Sequence, residues 1–247
     1  MHTCNRFKTG DRGQRYEVRC CTEPGGPEKP FGWSDNEEGV DVMVESINLH
    51  PSWHSPRIVD RQEEPRTGDW MQTFSGNCFY PLDPRPEEID IEDLANHLSQ
   101  IGRYNGACKR FYSVAEHCFH VSYHVPAGME LDGLLHDAPE GLGLGDIIAP
   151  VKRDPRIKPI IKPIEDRLHR AIAIRFGIQH PIPAEVEKVD FDITADEKEQ
   201  AMRPCVRPWW RVSDTPLGIR VQFWDSDRAK FMFMARFKEI TTGDPWR

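Results

Sequence analysis

At 247 residues, with 38% hydrophobic and 29% charged side chains, the chain has the composition of a globular protein able to bury a core, in one domain or two. A formal net charge of −8 and a pI near 5.7 exclude a general coat for duplex nucleic acid, which wants a basic face, yet allow a local basic pocket for a small phosphorylated ligand. No apolar run approaches the roughly 18–20 residues that cross a bilayer, and the opening MHTCNRFKTGDRGQRYE lacks a signal peptide's apolar stretch. The seven cysteines (Cys4, Cys20, Cys21, Cys78, Cys108, Cys118, Cys205) are scattered without a CxxC pair. They read as free thiols of a reducing compartment, so the expected location is cytoplasmic.

Residues 1–65 read as a small α+β module of ββαβ type. Arg15–Cys21 and Lys29–Trp33 look like strands around the turn-forming EPGGPE, and Arg57–Asp60 like a third. Ser34 before an acidic run can cap a helix carrying Val40, Met43, Val44 and Ile47. The charged, turn-rich EEPRTGD at 63–69 reads as a linker, with a second domain from about residue 70 to 247. From Met71 onward the pattern is mainly α. Ile89, Ile91, Leu94, Leu98 and Ile101 mark a helix; Ser113 can cap the next, which holds Val114, Cys118, Val121 and Val125. A short apolar helix around Leu131–His136 runs into GLGLGD. Ile160, Ile164, Leu168, Ile172 and Phe176 form a stripe that Gly177 ends; Ala184–Met202 and Asp227–Ile240 follow. Such a set implies a helical bundle. Trp209-Trp210 and the pair Phe231 and Phe233 read as core.

The sharpest local feature is LLHDAPEGLGLGD at 134–146. A carboxylate beside a histidine on a buried helix needs a partner, and a metal ion supplies one to imidazole nitrogen and carboxylate oxygen alike. One HD dipeptide is weak by itself, but it has company. His117 lies 19 residues upstream on a helix with an apolar face, and Asp190 lies in step with Val186 and Val189 on a later one. His120 and His124 share the His117 helix and read as structural or surface residues.

The order His117, His136-Asp137, Asp190 resembles that of the HD-domain metal-dependent phosphohydrolases. The likeness extends through TFSGNCFYPLDPRPEEIDIEDLANHLSQIGRYNG, KRFYSVAEHC, LLHDAPE, GDIIAPVK, IEDRLHRAIAIRFG and AKFMFMARFKEI, which together cover about residues 72–240. These blocks are similar to the branch containing bacterial 5′-deoxynucleotidases and bacteriophage dATP triphosphohydrolases. Residues 1–65 lie outside the likeness. The resemblance implies an HD-domain helical bundle, with His117, His136, Asp137 and Asp190 as ligands of one divalent ion (Co, Mn, Zn, Ni, Fe or Mg). It implies Glu140 as the catalytic acid/base, one turn after Asp137. Arg103 and Lys152 are expected on substrate phosphate, with Lys109 or Arg110 joining them on a triphosphate. Asp146 matches an aspartate near the sugar, although APEGLGLGD carries one residue more than the usual spacing. The expected substrate is a deoxynucleotide, foremost a dNTP such as dATP hydrolysed to deoxynucleoside and triphosphate; a 5′-deoxynucleotidase acting on dNMP is the alternative. A catalytically silent nucleotide- or protein-binding module and a phosphodiesterase are further readings. No membrane or duplex partner is expected, and a homo-oligomer is compatible with the sequence.

Overall fold

A computed structural model describes residues 66–244 and, before them, the strands β1 (Tyr16–Cys21), β2 (Lys29–Ser34) and β3 (His54–Asp60). The chain divides into two compact units, Met1–Arg66 and Thr67–Arg247. In the first, β1 is the middle strand of a three-stranded antiparallel sheet ordered β2-β1-β3, with Tyr16 opposite Ser34 on one side and Asp60 on the other. The helix expected from Ser34 to Ile47 lies outside the described residues.

The second unit is mainly helical. A two-stranded hairpin, β4 (Met71–Gln72) and β5 (Cys78–Phe79), opens it; the sequence pattern had not signalled these short strands. Seven α-helices follow among the described residues: α1 (Ile91–Gln100), α2 (Val114–His124), α3 (Glu130–Leu135), α4 (Ala149–Lys152), α5 (Lys158–Phe176), α6 (Ala184–Ala201) and α7 (Ser226–Thr242). Their ends follow local chemistry. Asp90, Ser113 and Asp225 accept hydrogen bonds from the backbone N–H groups of Glu92, Glu116 and Arg228, capping α1, α2 and α7. Gly177 ends α5 at φ 73°, a conformation cheap only for glycine. None of the described helices is long and apolar enough to cross a membrane.

Helix α2 lies between two apolar clusters. Val114, Ala115 and Cys118 face a core shared with α1, α3, α5 and α7, whose centre includes Leu94, Leu98, Leu134, Leu168, Ile172 and Phe233. Val121 and Val125 face a second cluster with Val186, Val189 and Ile193 of α6 and Ile219 and Val221 of the loop after it. A helix clamped on both sides carries its one buried histidine, His117, in a fixed position.

Three core expectations need correction. Ile160 is 64% exposed, because each i+4 step turns the stripe by about 40° and the first residue of a five-member stripe rotates off the core. Phe231 is 46% exposed while Phe233 is fully buried, since residues two apart on a helix point to nearly opposite sides. Trp210 is 80% exposed, and Trp209 is half-buried in an edge-type contact with the Tyr104 ring.

The approach of α3 to α2 depends on Gly133. A Cβ there would lie 3.1 Å from both Val125 methyls and 3.2 Å from the Ser122 Cα. Gly133→Ala is therefore expected to destabilise the fold by about 1–3 kcal/mol through overpacking, read as a lower denaturant midpoint with an unchanged slope. An unchanged midpoint would mean that the helices separate freely.

Candidate metal centre

Three elements meet at one point. Helix α2 contributes His117, the end of α3 contributes His136 and Asp137, and α6 contributes Asp190. One donor atom from each of the four lies within 4.8 Å of all the others. His117 Nε2 is 3.2 Å from His136 Nε2, 3.1 Å from Asp190 Oδ1 and 3.6 Å from Asp137 Oδ2. His136 Nε2 is 3.3 Å from Asp137 Oδ2 and 3.7 Å from Asp190 Oδ1. Both imidazoles are buried, whereas the Asp190 side chain is 40% exposed and opens the group toward solvent.

The hydrogen bonds behind the histidines decide what this group can hold. His136 Nδ1 is 2.8 Å from the Gly133 carbonyl oxygen, which can only accept, so the proton sits on Nδ1. His117 Nδ1 donates to Glu197 Oε1 at 2.8 Å. When both rings are neutral, as binding a metal requires, they direct bare Nε2 lone pairs toward one another, with two carboxylate oxygens alongside. Four electron-rich atoms converging in this way repel unless protons or a metal cation lie among them. Neighbouring ligands of an ion with bonds of about 2.1 Å stand about 3 Å apart, in keeping with the separations here. The residues therefore fit a divalent ion with mixed nitrogen and oxygen preference.

Glu197 is the principal residue that the sequence reading missed. Its carboxylate is fully buried on α6 and accepts from His117, from Tyr112 Oη at 2.8 Å, from the Tyr104 hydroxyl and from Arg103 Nη2 at 3.1 Å. Burial alone would raise its pKa; the Arg103 charge, with the hydrogen bonds from His117 and Tyr104, outweighs that and holds it at about 2. A signal did exist in the sequence, since Glu197 lies seven residues after Asp190, two turns along the same helical face.

Glu140 reaches the site by a different local geometry from the one expected. Helix α3 stops at Leu135, and Ala138–Leu142 forms a 3-10 turn, in which residues three apart eclipse one another. The turn is closed by the Glu140 N–H donating to the Asp137 carbonyl oxygen at 3.0 Å. The side chain is buried; Oε1 accepts from Lys152 Nζ at 3.4 Å, and Oε2 has no partner. Burial first, and the Asp137 charge second, push this carboxyl well above its ordinary range. Beside it opens a cleft of ≈ 190 Å³, whose lining includes His136, Asp137, Glu140, Lys152, His169 and His180.

The other expected residues divide. Arg103 is at the centre, with Nη1 3.5 Å from Asp137 Oδ2, and its buried Nε lacks a partner. Lys152 lines the cleft, held between Glu140 and Glu165 Oε1 at 2.9 Å. Asp146 accepts from the Asn105 N–H at 3.1 Å and so supports the turn Arg103–Gly106, where Tyr104 and Asn105 take φ of 56° and 50°. Lys109 and Arg110 do not join Lys152 in the cleft lining; Lys109 lines another cleft, and the Arg110 guanidinium stacks over Phe223 at 4.8 Å. His120 stacks on Trp224 and His124 bonds the His120 carbonyl, so neither belongs to the four-ligand group. The described cysteines Cys78, Cys108, Cys118 and Cys205 are free.

No family model matches the chain. A stretch of 174 residues, 70% of the chain, is 34% identical to YfdR of Escherichia coli (strain K12), an uncharacterized protein, and covers 96% of it. A stretch of 128 residues, 48% of the chain, is 38% identical to an uncharacterized protein of Rhodobacter capsulatus and spans 64% of that relative's length.

His136→Ala and Asp137→Ala are each expected to lose bound metal while staying folded, measured by elemental analysis beside circular dichroism. Full metal content in Asp137→Ala would remove that residue from the ligand set. Glu197→Gln keeps all four ligands but unsettles the His117 ring, and should weaken metal affinity about 10–100-fold in a competition titration with a chelator.

Proposed function

We propose that this chain, which belongs to the same family as Escherichia coli YfdR, is a metal-dependent phosphohydrolase of the HD type that hydrolyses deoxynucleotides. The observation that carries this reading is the convergence of two bare Nε2 atoms, Asp137 and Asp190 one 3-10 turn from a buried Glu140. A divalent ion held by the four ligands supplies Lewis acidity to a phosphoryl group and makes water acidic enough to react at neutral pH.

The chain's own residues account for the other requirements. Hydrolysis joins a water oxygen to phosphorus and breaks the phosphorus–oxygen bond to the sugar; the nucleoside oxygen leaves with the electron pair and takes up a proton. Glu140 is placed to move that proton, with Oε2 unpartnered and Oε1 steadied by Lys152. Arg103, fixed by Glu197, holds its guanidinium beside Asp137, where it can help neutralise phosphate charge. Burial of Glu140 and both histidines keeps bulk water from loosening these contacts.

The charges in the cleft favour a monophosphate over the triphosphate that the family likeness puts first. Lys152 and Lys162 share the lining with Glu165, Asp166 and Glu187, so carboxylates outnumber lysines even with Glu140 left out. A polyphosphate chain laid there would meet net repulsion, and neither Lys109 nor Arg110 lines this cleft. One phosphate against the ion and Arg103 needs no further cation.

Glu140→Gln should retain metal and lose turnover by a factor on the order of 10²–10⁴, followed as phosphate release with Co²⁺, Mn²⁺ or Mg²⁺ added. Near wild-type turnover would move the proton transfer to another group. Across a panel of dNMPs and dNTPs, orthophosphate from dNMP is the expected product. Free triphosphate from a dNTP in the phosphorus NMR spectrum would reverse the substrate preference. No turnover of any nucleotide by fully metallated protein would leave the silent binding module as the better reading.

A further inference from the structure

A second cleft, of ≈ 500 Å³, opens along α6 and the loop that follows it. Lys109, Lys198, Arg203, Trp209, Glu199 and Ser213 are among the residues that line it. Three cations face one carboxylate, and none of the three has an ion-pair partner among the described residues, in a chain whose net charge is −8. Like charges gathered without counter-charges repel one another, and an anion relieves that repulsion. The loop itself, RPCVRPWWR at 203–211, has three arginines, two tryptophans and no acid. Its Trp209 ring is braced edge-on by Tyr104, with centroids 5.5 Å apart, and contributes to the cleft wall. Arg211 lies over the Phe191 ring at 5.1 Å, which ties the loop to α6 one residue from Asp190.

We propose that this cleft is a second site, which binds a free nucleotide through Lys109, Lys198 and Arg203 on its phosphates and Trp209 on its base. Clustered cations recognise a di- or triphosphate, while a braced indole recognises a planar ring whatever its sequence context. The ≈ 500 Å³ of the cleft falls within the range of roughly 300–1,000 Å³ that holds small-molecule ligands. The charge pattern is the reverse of the first cleft, where carboxylates surround the ligand group. The site stands whether or not the metal centre hydrolyses nucleotides, because no residue of the four-ligand group lines it.

Equilibrium dialysis of dATP against the full chain in excess EDTA tests this without turnover. One dATP per chain is expected. The double variant Lys198→Ser/Arg203→Ser should weaken binding at least about tenfold. Trp209→Ala should weaken dATP by about tenfold and leave inorganic triphosphate unchanged. The thermal midpoint of each variant should match wild type; if that of Trp209→Ala falls, the double variant still decides, since both of its residues lie at the cleft surface. No binding of dATP at millimolar concentration, or binding untouched by the double variant, overturns the site. Inorganic triphosphate binding as tightly as dATP, with Trp209→Ala silent, overturns the nucleotide assignment in favour of a plain polyanion. A single-stranded oligonucleotide binding more tightly than dATP overturns the assignment to a free ligand.

Discussion

A carboxylate shut away from water must find charge and hydrogen-bond donors inside the protein, or it takes up a proton. Glu197 stays ionised because four donors from three segments converge on it: Arg103 and Tyr104, Tyr112, and His117. Each of those contacts orders something further. The bond from His117 Nδ1 sets the tautomer that bares Nε2; the bond from Arg103 holds a guanidinium beside Asp137; the two tyrosines pin the segment leading into α2. Breaking a buried pair of this kind costs about 3–5 kcal/mol, because the partner is left charged and alone. The ligand geometry is thus set one layer behind the ligands.

Much of this was legible in the residue order. The four residues stand out because the sequence sets two histidines and two aspartates beside or in step with apolar neighbours, a departure from the ordinary partition between core and surface that asks for a common cause. Helix ends could be read where a single side chain makes the end, as at Asp90, Ser113 and Gly177. Glu140 was placed by an α-helical argument; the turn is 3-10 instead, and it too superposes residues three apart, so Glu140 still follows Asp137 on the same side. Glu197 escaped notice amid DEKEQ, a run that looks like a solvated helix face. Only the tyrosines and arginine brought in by other segments make that position internal, and pairings 80 to 94 residues apart leave no local pattern. Phe231 and Trp210 failed for the opposite reason: apolarity makes burial favourable but does not fix which side of a helix or loop faces the core.

The acidic composition has a similar internal explanation. Glu116 accepts from the backbone N–H groups of Gln222, Phe223 and Trp224, fastening the approach to α7 onto α2. Along α6, Asp192 takes the Ser213 and Thr215 hydroxyls, Asp196 the N–H groups of Leu217 and Gly218, and Gln200 the N–H of Val221. Spaced four residues apart, these side chains form one ladder that straps the loop at 213–221 to the helix. Several of the carboxylates behind the −8 charge therefore act as hooks for backbone and hydroxyl groups, and say little about partners.

Helix α6 consequently faces two environments. One face presents Asp190 and Glu197 to the metal group; another holds the strapped loop, and Lys198 and Glu199 line the second cleft beside it. The two clefts differ in charge. Around the His117, His136, Asp137 and Asp190 group the protein contributes anions, which suits a place able to hold a cation. The second cleft has no such ligand set among the described residues, so any affinity for phosphate must come from lysine and arginine. Tyr104 lies between the two arrangements, with its hydroxyl on Glu197 and its ring against Trp209. Its left-handed backbone, which a residue with a Cβ adopts only under constraint, is held from one side by the Asp146 bond to Asn105 and from the other by Glu197. A tyrosine fixed in this way ties the cationic loop to the buried Glu197 centre, with one end of its side chain on each.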